Sequence, residues 1–282
     1  MSCSVFIAGP VSYNQIVELD ALPEPRPQMV VARRHWCTVG GTSAGKALNL
    51  ARLGAEVALR TVVGRDEPGT LVLDELRRNG VHLFADTDGG RTEQHLNLMD
   101  PAGGRLSIYL DLPDDPVGPP AGTALTALEA AEVAVIDLAT HARPWLAAAR
   151  DRGIPVWVDL HDDDGVGSWR APWRVAASAV FCNDDKLPDP EPFLRAMVAG
   201  GAALAVATRG ARGAIGVDAA GVVEIDAVPV ERVVDTNGAG DAFFSGFLVA
   251  HLAGANLRQA MEAGAEQAAA CLGSSGLAPG LE

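Results

Sequence analysis

Lysine is nearly missing from this chain of 282 residues. Only Lys46 and Lys186 occur, and 36 acidic side chains face 22 basic ones, for a formal net charge of −14. A protein that grips nucleic acid presents an extended basic face, so that class of partner is excluded. A phosphate ligand is not excluded, because backbone amides and a few arginines can hold one locally. No apolar run reaches the roughly 18 residues a membrane span needs, and the start MSCSVFIAGPV lacks the basic flank and the length of a signal peptide. The expected location is therefore the cytoplasm, with no membrane partner. Cys3, Cys37, Cys182 and Cys271 are scattered without metal-ligand spacing and read as reduced, mostly buried thiols.

What is plentiful is apolar residue, 48% of the chain, enough for a sizeable core in one large α/β domain or two small ones. There is no internal repeat. Short apolar runs (SVFIAG, VALRTVVG, VAVIDL, PVWVDL, AVFCN, ALAVATRG) alternate with amphipathic or alanine-rich stretches. That order predicts a mostly parallel sheet with helices on both faces. Ligands of such sheets sit beyond the carboxyl ends of the strands, which singles out the strand-closing Gly9, Gly64, Asp137, Asp159, Asn183 and Thr208. Two segments break the rhythm. LDALPEPRPQMVVARRHWC is proline-rich and then extended, and TEQHLNLMDPAGGRLSIYLDL reads as two strands joined by the turn DPAGG. Together they suggest a small second sheet covering the site. DLPDDPVGPPAG then reads as a surface linker.

GGTSAGKALNLARLG, Gly40 to Gly54, contains the letters G-x-x-x-x-G-K of a phosphate-binding P-loop. The hydroxyl that should ligate magnesium is replaced by Ala47, and the preceding RRHWCTV is too charged and bulky for the buried strand that feeds such a loop. The stretch reads instead as a helix start. Thr42 or Ser43 can cap it, Ala44, Ala47, Leu48 and Ala51 share a face, and Gly54 closes it.

The strongest chemical signal is VVDTNGAGDAFFSGF, Val233 to Phe247. An apolar segment runs into a turn of minimal side chains (Gly238, Ala239, Gly240), then into a helix whose apolar face is Phe243, Phe244, Phe247, Leu248 and Leu252. A helix start of this kind offers free amides to an anion. Asp241 stands at the same place: either a first-turn acid stabilised by the helix dipole, or a fixed carboxylate beside an anion pocket. The second is what phosphoryl transfer to a hydroxyl needs, one part to stabilise charge and one to take the proton.

DTNGAGDAFFSGF resembles the C-terminal signature of the PfkB, or ribokinase-like, family of carbohydrate kinases, and GGTSAGKALNLARLG resembles its N-terminal glycine signature. VVGRDEPGTLVLDELRRNGV and ATRGARGAIGV follow in the family's order, so the resemblance spans nearly the whole chain. It implies a ribokinase-like three-layer sandwich over residues 1–282, a mostly parallel central sheet with helices on both faces, with β lid segments at about 15–38 and 92–112. It implies an ATP-dependent kinase using Mg2+, acting on a small sugar or sugar-like molecule, with a homodimer formed through the lid. Asp241 would be the general base and Gly238, Ala239 and Gly240 the anion hole. Asn183, Thr208, Gly210 and Gly213 would contact the nucleotide, Asn14, Gly40, Gly41 and Gly45 the acceptor, and Asp235 and Thr236 a monovalent cation such as K+. AGAEQAAACLGSSG falls in the adenine-pocket region, and also reads as a plain buried helix. Lys46 is then placed near the sugar side of the cleft, away from the ATP phosphates.

The chain departs from the family pattern where substrate is chosen. Asn14 replaces an acidic residue, Gly45 an asparagine, and in NDDK Lys186 replaces the glutamate that helps organise magnesium, with Asp184 or Asp185 as substitutes. Arg33, Arg34 and His35 flank the lid and read either as a solvated basic face or as groups that would meet a phosphorylated acceptor. Two alternatives stay open: a nucleoside kinase of the same fold, and a catalytically weak sensor that binds a sugar or nucleotide.

Overall fold

The computed structural model describes residues 3–88, 90–101, 103–115, 119–274 and 276–280. The chain begins with β1 (Ser4–Ala8), β2 (Ser12–Glu18), β3 (Arg34–Gly40), α1 (Thr42–Arg52), β4 (Glu56–Val62), α2 (Glu67–Arg78) and β5 (His82–Asp86). It continues through β6 (Glu93–Met99), β7 (Arg105–Asp111), α3 (Gly122–Glu129), β8 (Val133–Ile136), α4 (Arg143–Arg150), β9 (Val156–Asp159), α5 (Ala171–Ala176) and β10 (Ala179–Asn183). The remainder is α6 (Glu191–Ala199), β11 (Leu204–Thr208), β12 (Ala214–Asp218), β13 (Gly221–Ile225), α7 (Ala239–Leu252) and α8 (Leu257–Leu272).

Nine strands form the main sheet in the order β13-β12-β11-β10-β9-β8-β1-β4-β5, parallel except for β12 and β13. The runs SVFIA, VAVI and VWVD are buried throughout or nearly so, because helices cover both faces of a parallel sheet. Successive residues serve opposite layers. Ile7, Val135 and Phe181 pack with Leu48 of α1, Phe243, Phe244 and Phe247 of α7 and Met261 of α8. Phe6, Ala134 and Val180 pack with Leu128 of α3, Trp145 of α4, Trp173 of α5 and Leu194 of α6. This is the expected three-layer sandwich. Helices α7 and α8 meet through two glycines: a Cβ at Gly246 would lie 2.7 Å from the Ala263 carbonyl, and one at Gly264 2.7 Å from the Phe243 carbonyl. A side chain at either position would push the pair apart and open the aromatic cluster around Trp157.

A second sheet has the order β3-β2-β6-β7. Two details depart from the sequence reading. Asn14 does not close the first strand, which ends at Ala8; it is the third residue of β2. The proline-rich stretch from Leu19 is irregular until Arg34, where the expected extended part begins as β3, and the second sheet gains a further strand from residues 12–18. Residues 116–118 of the acidic linker, 102 of the DPAGG turn and 275 of the alanine-rich segment lie outside the described residues. The four cysteines are free, but only Cys182 and Cys271 are buried, and Cys37 is exposed.

Candidate active site

The N-terminus of α7 is built by its own sequence. Asp235 accepts at Oδ1 from the backbone N–H and from Nδ2 of Asn237, each at 2.8 Å, which folds the turn. Gly238 follows with φ +79°, a left-handed conformation that glycine adopts without cost. No side chain caps the helix, so its first amides and the positive end of its dipole face the cleft.

Asp241 stands in this first turn, its side chain 14% exposed. Its Oδ1 accepts from Thr42 Oγ1 at 2.6 Å and from Lys46 Nζ at 2.8 Å. Lys46 is fully buried, donates also to Thr42 Oγ1, and lies 3.1 Å from Asp137 Oδ1, 3.3 Å from Asp159 Oδ2 and 5.1 Å from the centre of the Phe244 ring. Ser43 Oγ donates to Asp137 Oδ2 at 2.6 Å. The N–H of His161 donates to Asp159 Oδ1 at 3.0 Å, from a left-handed backbone (φ 53°) unusual for a side-chain-bearing residue. Burial pushes Asp241 up from the ordinary carboxylate range, with Lys46 and Thr42 opposing it. Burial pushes the Lys46 amine down, but Asp137, Asp241 and Asp159 together outweigh it and hold it well above lysine's usual value. For Asp159, burial acts upward and His161 and Lys46 carry the net shift downward.

These groups open on a cleft of about 790 Å³. One wall is the carboxyl ends of β9 and β10 with the loop after β8; the other is the inner face of the second sheet. There Glu93, His95 and Asn97 of β6 alternate inward, beside Asn14 of β2 and Ser107 and Tyr109 of β7. His95 Nε2 lies 2.8 Å from Glu93 Oε1, and its ring lies 4.0 Å from that of Tyr109. Asn14 and Asn97 line this wall, and among the described residues their buried Oδ1 atoms have no hydrogen-bond partner.

Asn14, Gly40, Gly41, Asn183, Asp235, Thr236, Gly238, Gly240 and Asp241 all line this one cleft, whereas Gly45, Thr208, Ala239, Gly210 and Gly213 are not among its walls. Thr208 does pair with Asn183 across β10 and β11. The glycines at Gly40, Gly45 and Gly213 answer first to the protein itself. A Cβ would come within 2.0 Å of Asn14 Nδ2 at Gly40, 2.6 Å of Asp241 Oδ2 at Gly45, and 2.0 Å of the Ile225 carbonyl at Gly213. Gly45 therefore makes room for Asp241 rather than touching an acceptor. Neither Thr42 nor Ser43 caps α1; Gly41 occupies the cap with φ +89°, the Thr42 hydroxyl serves the cleft carboxylate Asp241 and the Ser43 hydroxyl serves buried Asp137. Arg33 and Arg34 face Glu18 and stand outside the cleft, as does His35. Arg105 and Arg170 are its arginines instead.

Sequence reasoning placed Lys46 near the sugar side of the cleft but without its carboxylate partners, and missed Glu93, His95 and Asn97. The signal for the last three was a strand with polar residues at every second position and leucines at 96 and 98, in a segment expected to cover the site.

For magnesium, no group of three or more His, Cys, Asp or Glu side chains is arranged to hold a metal among the described residues. Magnesium carried by nucleotide phosphates needs only one or two protein carboxylates, and Asp185 with Asn183 at the cleft wall fits that requirement. Asp184 pairs with Arg212 and Lys186 with Asp162, so neither takes that place.

The model of the pfkB family of carbohydrate kinases matches residues 9–159 and 179–282. The chain is 32% identical over 269 residues to the acarbose 7(IV)-phosphotransferase of an Actinoplanes species, covering 93% of this chain and 89% of that protein. It is 31% identical over 243 residues to the fructoselysine 6-kinase of Shigella flexneri, covering 82% and 88%. The solved structure of the microbiome-derived acarbose kinase Mak1 superposes with a TM-score of 0.86 at 28% identity, over 100% of this chain and 95% of that one. With these likenesses running the length of a ribokinase-like fold, the chain belongs to the PfkB family of carbohydrate kinases.

Proposed function

We propose that this kinase transfers the terminal phosphoryl group of ATP to a hydroxyl of a sugar or sugar-like acceptor, with Asp241 as general base. The observation that carries this is a buried carboxylate fixed at the open, left-handed start of a helix, at the floor of a cleft with two unpartnered amide acceptors in its opposite wall. The acceptor hydroxyl gives its proton to Asp241 as its oxygen forms the bond to phosphorus and the bond to the ADP oxygen breaks. The amides of Gly238, Ala239 and Gly240 meet the charge of the transferred group. Thr208, Gly210 and Gly213 border the nucleotide. Magnesium, when bound with ATP, neutralises phosphate charge; Asp185 and Asn183 would hold it. Asp235 and Thr236 would hold a monovalent cation, which potassium dependence of kcat checks.

The acceptor is read as neutral or cationic. Glu93, Asp115, Asp159, Asp162, Asp185, Asp235 and Asp241 line the cleft against Arg105 and Arg170, and Arg170 is paired with Asp162 at 2.7 Å. A second phosphate would find few partners there. The relatives named for acarbose and fructoselysine support a sugar over a nucleoside acceptor. The four-stranded sheet would be the lid. Its outer face exposes Leu106, Ile108 and Leu110 at 41–52%, which supports a homodimer through it; a monomer in analytical ultracentrifugation would rule that out.

The test is ADP release over a panel of neutral sugars, amino sugars, sugar phosphates and adenosine. Turnover with a neutral or amino sugar, lost by ~10²–10⁴-fold in Asp241→Asn with ATP affinity kept, is the expected result. Adenosine alone as acceptor would make this a nucleoside kinase, and no turnover with intact binding would make it a sensor.

A further inference from the structure

Lys46 has no part in the proposed reaction so far, yet it is the most thoroughly surrounded charge in the molecule. It is fully buried, so it cannot touch ATP or acceptor. Asp241 Oδ1 receives both Lys46 and Thr42, while among the described residues Oδ2 has no donor and is not one of the buried unpartnered atoms. Oδ2 is thus the oxygen the cleft reaches. It fits there because Gly45, one residue before Lys46, has no side chain to meet it.

We propose that Lys46 is the positioning residue of the base: its ammonium, with Thr42, clamps Oδ1 of Asp241 from behind so that Oδ2 alone is presented to the acceptor hydroxyl. The proposal rests on the reading of Asp241 as the base. Three further contacts say that the clamp is held in place. Asp137, itself fixed by Ser43, and Asp159, fixed by the His161 amide, grip the same ammonium, and the Phe244 ring closes its remaining side. The charged and titratable groups facing Asp241 are Lys46 from α1, Asp159 after β9, and Cys271 of α8, whose thiol is raised by burial and by Asp241 and Asp235. His161 and Asp137 act on it one group removed, through Asp159 and Lys46. Among the described residues Lys46 is the only cation in direct contact with it. Burial and Asp159 both favour the protonated acid, and the clamp opposes them in favour of the carboxylate.

The experiment compares wild type with Lys46→Met, which keeps the apolar stem and removes the charge. Expected are an acid limb of kcat/KM moved up by at least one pH unit, a fall in kcat of tenfold or more at pH 7 with partial recovery at high pH, and KM values for ATP and acceptor within about threefold of wild type. A uniform loss with an unmoved limb would show a merely structural role and overturn the proposal, as would wild-type kcat throughout. Because Lys46→Met leaves three carboxylates facing one another, the double variant Lys46→Met/Asp137→Asn restores the wild-type charge count and is expected to melt closer to wild type while keeping the displaced limb. Carboxyl 13C titration, assigned with Asp241→Asn, reads the same clamp without turnover. An Asp241 midpoint that does not rise in Lys46→Met overturns the proposal, whereas wild type inert toward every acceptor with that midpoint raised overturns only the reading of Asp241 as base.

Discussion

Gly45→Ala adds one methyl group, and the structure says where it goes. The Cβ would sit 2.6 Å from Asp241 Oδ2 and 3.1 Å from its Cβ and Cγ, whereas ordinary contact begins near 3.4 Å. Asp241 must therefore move by about 0.8 Å or more, and it is not free to do so, since Lys46 and Thr42 hold its other oxygen. A misplacement of about 1 Å costs on the order of 10²-fold in rate. In the interior of a helix, replacing glycine by alanine contributes ~0.5–1 kcal/mol of stability. The gain offsets much of the local strain, so the melting temperature should stay near wild type. The expected variant is folded, binds ATP normally and has lost ~10²-fold in kcat. Steady-state ADP release with the identified acceptor, beside a thermal melt, is the assay. Wild-type kcat in a folded Gly45→Ala would refute the placement of Asp241 against α1 and with it the use of Oδ2 as base.

Asn14→Ala should weaken acceptor binding by ~1–3 kcal/mol, the usual cost of losing a buried hydrogen-bond partner, and leave ATP affinity unchanged in calorimetric titration. An effect on nucleotide alone would show that the cleft has been oriented wrongly. His141 is 7% exposed with Nε2 unpartnered, and burial first, then Arg60, lowers its pKa from 6.5 to about 4. Below pH 6.5 the unfolded chain binds the proton and the folded one resists it, so this stabilising contribution is complete above pH 6.5 and lost as pH falls towards 4, ~3 kcal/mol in all. Urea unfolding of His141→Leu should show that much less acid destabilisation between pH 7 and 4 than wild type; equal slopes would place a protonated His141 in the fold.

The main sheet was legible because a parallel strand covered on both faces must be apolar along its length, and VAVI or VWVD leaves little else to read. The start of α7 was legible for a similar reason: a left-handed turn before a helix demands small residues, and NGAGD supplies them in order. The second sheet was harder. Its β2 carries polar residues on both faces, Ser12 and Asn14 buried and Gln15 exposed, so the usual rule of apolar inward gives no phase. Arg33, Arg34 and His35 looked like a phosphate grip because charge is visible in sequence and its partner is not; Glu18 lies on the neighbouring strand of the hairpin.

Lys46 shows why the centre of the site escaped. A helical face is inferred from residues that repeat every three or four positions, on the premise that the other face is wet. In α1 every residue from Ser43 to Leu50 is buried, so the premise fails and the pattern gives the lysine there no partners. What makes it tolerable inside is a set of carboxylates brought from distant points in the chain, Asp241 being 195 residues away. Three strand-end or helix-start acids converge only because parallel strands deliver their carboxyl ends to one edge of the sheet. Asp137 and Asp159 were marked by that rule, and each alone would be a costly buried charge. The rule thus named the acids without their cation, and the P-loop pattern named the cation without its acids; only the side chains of α1 that reach the ends of β8 and β9 join them, and the base can be oriented there because both halves are present.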